Sequence, residues 1–276
     1  MAESRYRQLT SISGKGSGPQ QFAQSLTGLA LDRHGLLYAS GDSEIKVFDN
    51  AGKLQKRWPT GRPPLAIAVS HEGLVYAGEE RQVEIFDPST KIAHVWKDDQ
   101  MLGRVTSIGF SGQSVLAGDA AARAIRRLDR SGRVLNTVGA DNNVGGFLIP
   151  NGVVSFAVDA EGVIHAANPG KHRVERYSPE GKLLGHFGKF SFHDPAGFTG
   201  CCNPTNIAVS GRIYVTEKAG PRLKVYSRDG EFQGVIAANC FDPNCKNISV
   251  QAGTGGRVYA ADTVKLEILV FEPEAA

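Results

Sequence analysis

One phrase recurs six times along this chain, and no other feature restricts the fold as tightly. Residues 26–61, LTGLALDRHGLLYASGDSEIKVFDNAGKLQKRWPTG, run in parallel with 154–189, VSFAVDAEGVIHAANPGKHRVERYSPEGKLLGHFGK. Each has an apolar run, an Asp-x-x-Gly turn, a second apolar run, a polar loop, an alternating strand ending in an aromatic, a Gly turn and a last strand. The phrase returns over 65–96, 105–139, 204–236 and 247–273.

Every copy carries up to four runs with period-two or fully apolar character, divided by turn residues. The third run alternates most clearly, with Ile45 and Val47, Val83 and Ile85, or Leu223 and Val225 on one face. It closes on a large side chain: Phe48, Phe86, Leu128, Tyr177, Tyr226 or Phe271. Four-stranded units of roughly 40–50 residues repeated radially describe a β-propeller. The sixth copy stops at Phe271-Glu272-Pro273, after its third strand, while an orphan strand, YRQLTSIS (6–13), precedes the first copy. Pairing the two removes two exposed sheet edges and closes the ring. The expectation is an all-β, six-bladed propeller in a single domain, 1–276. Its blades fall at about 24–62, 63–102, 103–141, 152–190, 203–239, and 246–273 plus 5–13.

The wording of the repeat resembles the NHL-repeat family, whose unit runs P-x-G-I-A-V-D-x-x-G-x-I-Y-V-A-D. The matching stretches are Pro204-Thr205-Asn206-Ile207-Ala208-Val209, Arg212–Glu217 (RIYVTE) and Val258–Asp262 (VYAAD). The lead-in GKGSGPQQF (14–22) looks like that family's inter-blade linker. The GCCNP phrase (200–204), followed by TEK-x-x-x-R-L-K-V-Y, is similar to a bacterial subset of these proteins. The resemblance implies a six-bladed propeller and carries no reaction with it.

Composition narrows the function classes. The chain is 41% hydrophobic and 21% charged, with a formal net charge of +3 and no basic block, which argues against nucleic acid as a partner. Thirty-three Gly against two Met fit many tight turns and few long helices. No apolar run reaches the ~20 residues of a membrane span, and the opening MAESRYRQLTSISG lacks the apolar middle of a secretory signal. This leaves a cytoplasmic protein or, the preferred expectation, an extracytoplasmic one whose leader has been removed.

In a propeller the loop entering each innermost strand and the loop joining strands two and three open on one face. That face is where ligand and partner sites are expected. The second strands end there in Gly41, Glu79, Asp119, Asn168, Glu217 and Asp262, followed by Lys171, His172, Lys218, Arg222 and Lys265. Such residues either grip a ligand or simply form the turns the repeat requires. The least repeat-like loop, TEKAGPR (216–222), singles out Glu217, Lys218 and Arg222 as ligand-binding candidates, with Asp119, Asp262 and Asn206 beside them.

The four cysteines follow the same geometry. Cys201 and Cys202 enter blade five, and Cys240 and Cys245 enter blade six, so equivalent loops of adjacent blades bring both pairs toward one face. Three chemistries stay open: disulfides tethering the loops, a transition metal such as zinc on the cysteines with His193 added, or a reactive dithiol near Lys218 or Lys246. The expected function is a propeller that binds a protein or small molecule at the blade 5–6 mouth. The alternative is a metal-dependent hydrolase or lyase acting at the axial mouth. The NHL-type lyase acting on peptidyl hydroxyglycine holds zinc with His from several blades, whereas here only His165 and His172 lie near the mouth, both in one blade. No Ser-His-Asp, phosphate-loop or paired-carboxylate arrangement emerges from local spacing.

Overall fold

The structure is a computed structural model and describes residues 5–97, 102–218 and 220–274. Positions 98–101 of the expected second blade (63–102) and Ala219 of the 216–222 stretch lie outside the described residues. Strand β1 (Tyr6–Ser13) comes first. The blades follow as β2 (Gly28–Leu31), β3 (Leu37–Gly41), β4 (Glu44–Phe48) and β5 (Leu54–Pro59); then β6 (Ala66–Val69), β7 (Val75–Glu79), β8 (Gln82–Asp87) and β9 (Ile92–Lys97). The third and fourth are β10 (Val105–Ser111), β11 (Ser114–Asp119), β12 (Ala124–Leu128) and β13 (Val134–Val138), and β14 (Phe156–Val158), β15 (Ile164–Asn168), β16 (Arg173–Tyr177) and β17 (Leu183–Phe187). The fifth is β18 (Asn206–Ser210), β19 (Arg212–Glu217), β20 (Arg222–Tyr226) and β21 (Phe232–Ala238); the sixth is β22 (Val250–Ala252), β23 (Val258–Asp262) and β24 (Glu267–Pro273).

Each set forms one antiparallel sheet, and the sixth is completed by β1 in the order β1-β24-β23-β22. Register runs from Tyr6 opposite Pro273 to Ser13 opposite Glu267, with a bulge between Gln8 and Thr10. The protein is therefore a six-bladed β-propeller closed by its N-terminal strand. No helix among the described residues is long and apolar enough to cross a membrane.

Burial follows strand position. Second strands are sandwiched between neighbouring blades, so both of their faces are covered and β3, β7, β11, β15 and β23 are buried throughout. Small residues such as Ala39, Ala77, Ala117, Ala167 and Ala261 suit that confinement. Outer strands such as β5 and β9 are largely exposed. The core consequently lies between blades. Tyr214, Val225 and Ile236 of the fifth meet Ile248, Leu269 and Phe271 of the sixth, and Tyr259, Ile268 and Val270 of the sixth meet Leu29, Leu37 and Phe48 of the first. The glycines of the third turn, Gly52, Gly132, Gly181 and Gly230, have φ between +79° and +95°, a region that penalises a Cβ.

Near the axis, hydroxyls tie one blade to the next. Thr27 Oγ1 donates to Pro64 O (2.8 Å), Thr106 Oγ1 to Val154 O (3.0 Å) and Thr216 Oγ1 to Ile248 O (2.9 Å). Ser155 Oγ accepts from Ile207 N (3.2 Å) and Ser249 Oγ from Leu29 N (3.1 Å). Short innermost strands leave backbone groups without ladder partners, and these bonds satisfy them.

Candidate functional site

The residues ending the second strands do not line the axis. Asp119 and Asp262 are buried and accept from the linker that arrives from the preceding blade. Asp119 takes Gly103 N (3.1 Å) plus Ala121 N and Ala122 N of its own turn. Asp262 takes Asp242 N (2.6 Å) plus Val264 N and Lys265 N. Asn168 accepts from Leu148 N and donates to Asn143 Oδ1. Blade one ends its strand in Gly41, where a Cβ would fall 2.0 Å from Ser25 O. Its carboxylate sits one residue later, Asp42, which accepts from Ala23, Gln24 and Ser25. The linkers cross the mouth face largely without strands or helices, so their N–H groups need acceptors, and these side chains supply them; in blade two the acceptor is Glu84 of the third strand, which takes Gly61 N (2.7 Å).

A second set, at the middle of the third strands, grips the same linkers. Lys224 is fully buried, with Nζ donating to Pro195 O (3.1 Å) and Gly197 O (2.6 Å) and standing 4.5 Å above the Phe198 ring. Lys46 does the same in blade one, bonding Pro19 O with Phe22 below it. Burial pulls the Lys224 ammonium down to about 8, against the opposing pull of Glu217. Glu217 Oε2 also meets Arg222 Nη2 at 2.7 Å, while Glu217 Oε1 accepts from Thr199 N (3.4 Å). Of the ligand candidates, Lys218, Arg222 and Asn206 are partly exposed, and Glu217, Asp119 and Asp262 are sealed.

The axial channel has two unequal ends. At the mouth it is polar, with Thr106, Ser107, Ser155, Asn206, Asn247 and Ser249 around a cavity of about 50 Å³. Asn206 Nδ2 donates to Asn247 Oδ1 across it at 2.6 Å. That volume holds a few waters and falls far short of the ~300–1,000 Å³ of a small-molecule pocket. The opposite end, about 290 Å³, is lined mainly by apolar side chains, Leu31, Val69, Phe110, Val158 and Val209, with Gln251 among them. A larger cleft of about 960 Å³ lies on that far face between blades one and six. Several of its polar groups are already engaged: Arg257 pairs with Glu272, Arg33 donates to His34 Nε2, and Asp32 caps its own turn through His34 N and Leu36 N.

The cysteines form two separate sets. All four are free thiols. Cys201 Sγ and Cys202 Sγ lie 3.2 Å apart, whereas Cys245 Sγ turns into its own blade, 3.2 Å from both the N–H and the hydroxyl of Thr263. Cys240 packs against the core between blades five and six, and His193 is exposed on a linker. The expected metal set of Cys201, Cys202, Cys240, Cys245 and His193 is not assembled: the described residues contain no group of three or more His, Cys, Asp or Glu able to hold a metal. Equivalent loops do share a face, but Cys201 and Cys202 meet each other, Cys245 meets Thr263, and Cys240 packs against the inter-blade core.

The mouth face carries a feature the repeat pattern hid. Phe190 is 50% and Phe192 70% exposed on the linker between blades four and five. The two rings meet edge to face at 4.8 Å, and Phe190 meets His172 at 4.9 Å. His172 Nε2 in turn contacts Gly200 O at 2.8 Å, joining the aromatics to the cysteine loop. Val144 (90%) and Leu148 (36%) are also exposed on the preceding linker, and Lys246, Lys189 (paired with Asp194) and Lys265 (beside Asp262 and Glu267) are exposed on these loops. The available signal was KFSF (189–192), two aromatics where the first linker reads GKGSGPQQF.

No family model matches the chain, and no curated protein matches it in sequence. Its likeness to solved structures is one of fold. A streptogramin B lyase superposes with a TM-score of 0.65 at 10% identity, covering 98% of both chains. A virginiamycin B lyase from Staphylococcus aureus gives 0.63 at 10% identity, over 98% of this chain and 100% of that one. A chain of a mitotic checkpoint complex gives 0.65 at 11% identity, over 97% and 92%.

Proposed function

We propose that this propeller is a binding module that captures a partner protein on its mouth face, over blades four to six. The observation that carries this is the exposed His172–Phe190–Phe192 cluster. Two phenylalanines left in water on a linker cost free energy unless something covers them, and aromatic anchors dominate protein interfaces. The cavity of about 50 Å³ at that end of the channel favours a protein over a small molecule. The exposed Lys246 and the part-exposed Lys218, beside Lys189, Lys265 and Arg222 that pair with acids of their own loops, favour a partner that offers an apolar side chain flanked by carboxylates. Asn206, Asp119, Asp262 and Glu217 then serve by fixing the axis and the linkers that present this surface.

The test compares partner capture by wild type and Phe192→Ala, with Val95→Ala on an outer strand as the control. A hot-spot loss of about 2 kcal/mol corresponds to about 30-fold weaker binding for F192A, with V95A unchanged. Equal capture by all three chains refutes the reading.

A further inference from the structure

Cys201 and Cys202 take no part in the aromatic surface, yet their loop is fixed on both sides. Asn203 Nδ2 donates to Thr199 O (2.7 Å) and Lys218 O (2.9 Å), and Asn203 Oδ1 accepts from Lys218 N (2.8 Å). His172 holds Gly200 O. The two sulfurs are thus presented 3.2 Å apart on a braced loop, Cys201 exposed and Cys202 nearly covered.

Three chemistries compete for a fixed pair of neighbouring thiols. A disulfide between consecutive residues must close over a Cα separation of ~3.8 Å, below the usual ~4.4–6.8 Å, and is strained. Tetrahedral zinc wants four ligands with sulfurs about 3.8 Å apart, and no third or fourth ligand joins this pair among the described residues. Pyramidal trivalent arsenic needs only two close sulfurs and fills its third position with hydroxyl or an organic group. The hydrogen bond to Cys202 pushes the Cys201 thiol up, which disfavours thiolate-driven exchange and metal capture. Condensation with an arsenical starts from the neutral thiols and is not opposed.

We propose that Cys201 and Cys202 form a binding site for trivalent arsenicals, the arsenic bridging both sulfurs. With arsenous acid, two As–O and two S–H bonds break, two As–S bonds form, and two waters leave carrying the thiol protons. Arsenic stays trivalent and no electrons are transferred. The site is independent of the partner-binding reading.

The experiment uses the full chain, reduced and kept anaerobic, treated with arsenite or phenylarsine oxide and followed by native mass spectrometry and thiol counting. The expected result is one arsenical per chain, two thiols lost, and release by a competing dithiol. Removing one sulfur abolishes chelation, so Cys201→Ser binds about 100-fold more weakly or worse, while Cys240→Ser binds like wild type. Cys201 is exposed, so C201S retains the fold, which its unfolding midpoint checks. Phe192→Ala leaves the adduct unchanged, which separates this site from the recognition surface. Absence of an adduct on wild type, an adduct mapping to Cys240 or Cys245, or undiminished binding by C201S overturns the proposal.

Discussion

Lys224 Nζ lies 3.1 Å from Glu217 Oε2, and neither side chain reaches solvent. The lysine comes from the third strand of blade five and the glutamate from the end of its second. Between them they hold the linker carrying Phe198 against the blade. A buried pair gains little over an apolar substitute, but removing one partner strands the other.

Lys224→Met therefore destabilises the protein by about 3 kcal/mol, the low end for a broken buried pair because Arg222 remains on Glu217. The unfolding midpoint falls by roughly 6–12 °C for a chain of this size. Calorimetry checks it; an unchanged midpoint would show that the linker is held without the lysine, by Phe198, by Glu217 on Thr199 N and by Tyr226 on Ala196 O.

Glu79 predicts a pH dependence. It is fully buried, with Oε1 lacking a partner, and the neighbouring Gln82 Oε1 lacks one too. Burial, aided by Glu84 and opposed by the Gln82 bond, pushes its carboxyl up to about 7 from 4.5. Between those two values the folded protein holds a proton the unfolded chain has released, so stability falls as pH rises through this window. The loss by pH 8 is about 3 kcal/mol at most. Glu79→Gln removes the charge and supplies an N–H for the orphan acceptors. Denaturant midpoints from pH 5 to 8 should decline for wild type and stay level for E79Q; parallel curves would rule out Glu79 as the cause.

Blade number and ring closure were legible because they rest on local regularities. The alternation at Ile45 and Val47 and the turn glycines are set within a few residues, and the missing fourth strand after Phe271 is a matter of counting. The roles of Asp119 and Asp262 were not. Their burial arises only when a linker from the preceding blade folds over them, a contact without a local signature. Lys46 and Lys224 did leave a trace, as lone cations between the apolar residues of IKV and LKV, and their equivalents Glu84, Arg126 and Glu175 obscured it by varying in charge. The contacts of the four sulfurs were illegible for a related reason: topology places loops on a face, while packing such as Cys245 against Thr263 decides where the sulfurs point.

Strand β1 is mostly exposed, and it is held to the ring by its ladder with β24, by the buried side chain of Ile12, and by Tyr6, which packs against the core between blades five and six with its hydroxyl 3.3 Å from that of Tyr214. Deleting residues 1–13 leaves the edge of β24 unpaired and opens the contact between blades six and one. The truncated chain should melt about 10 °C or more below the full one and self-associate on size exclusion. A monomer of unchanged midpoint would mean that blade six stands without its fourth strand.

Asn203 sets the last prediction, because its side chain makes three hydrogen bonds, one to Thr199 O within the cysteine loop and two that join that loop to Lys218 in the turn after β19. At about 1 kcal/mol each, their loss in Asn203→Ala exceeds what a surface loop retains from other contacts, yet the inter-blade cores are untouched. Stability is therefore lost locally. Amide exchange should accelerate about 10-fold or more over 198–203 and at Lys218, while the strands of blade five keep their protection and the global midpoint moves only slightly. If exchange accelerates equally across β18 to β21, Asn203 supports the whole blade, and the loop bearing Cys201 and Cys202 is not a separately braced element.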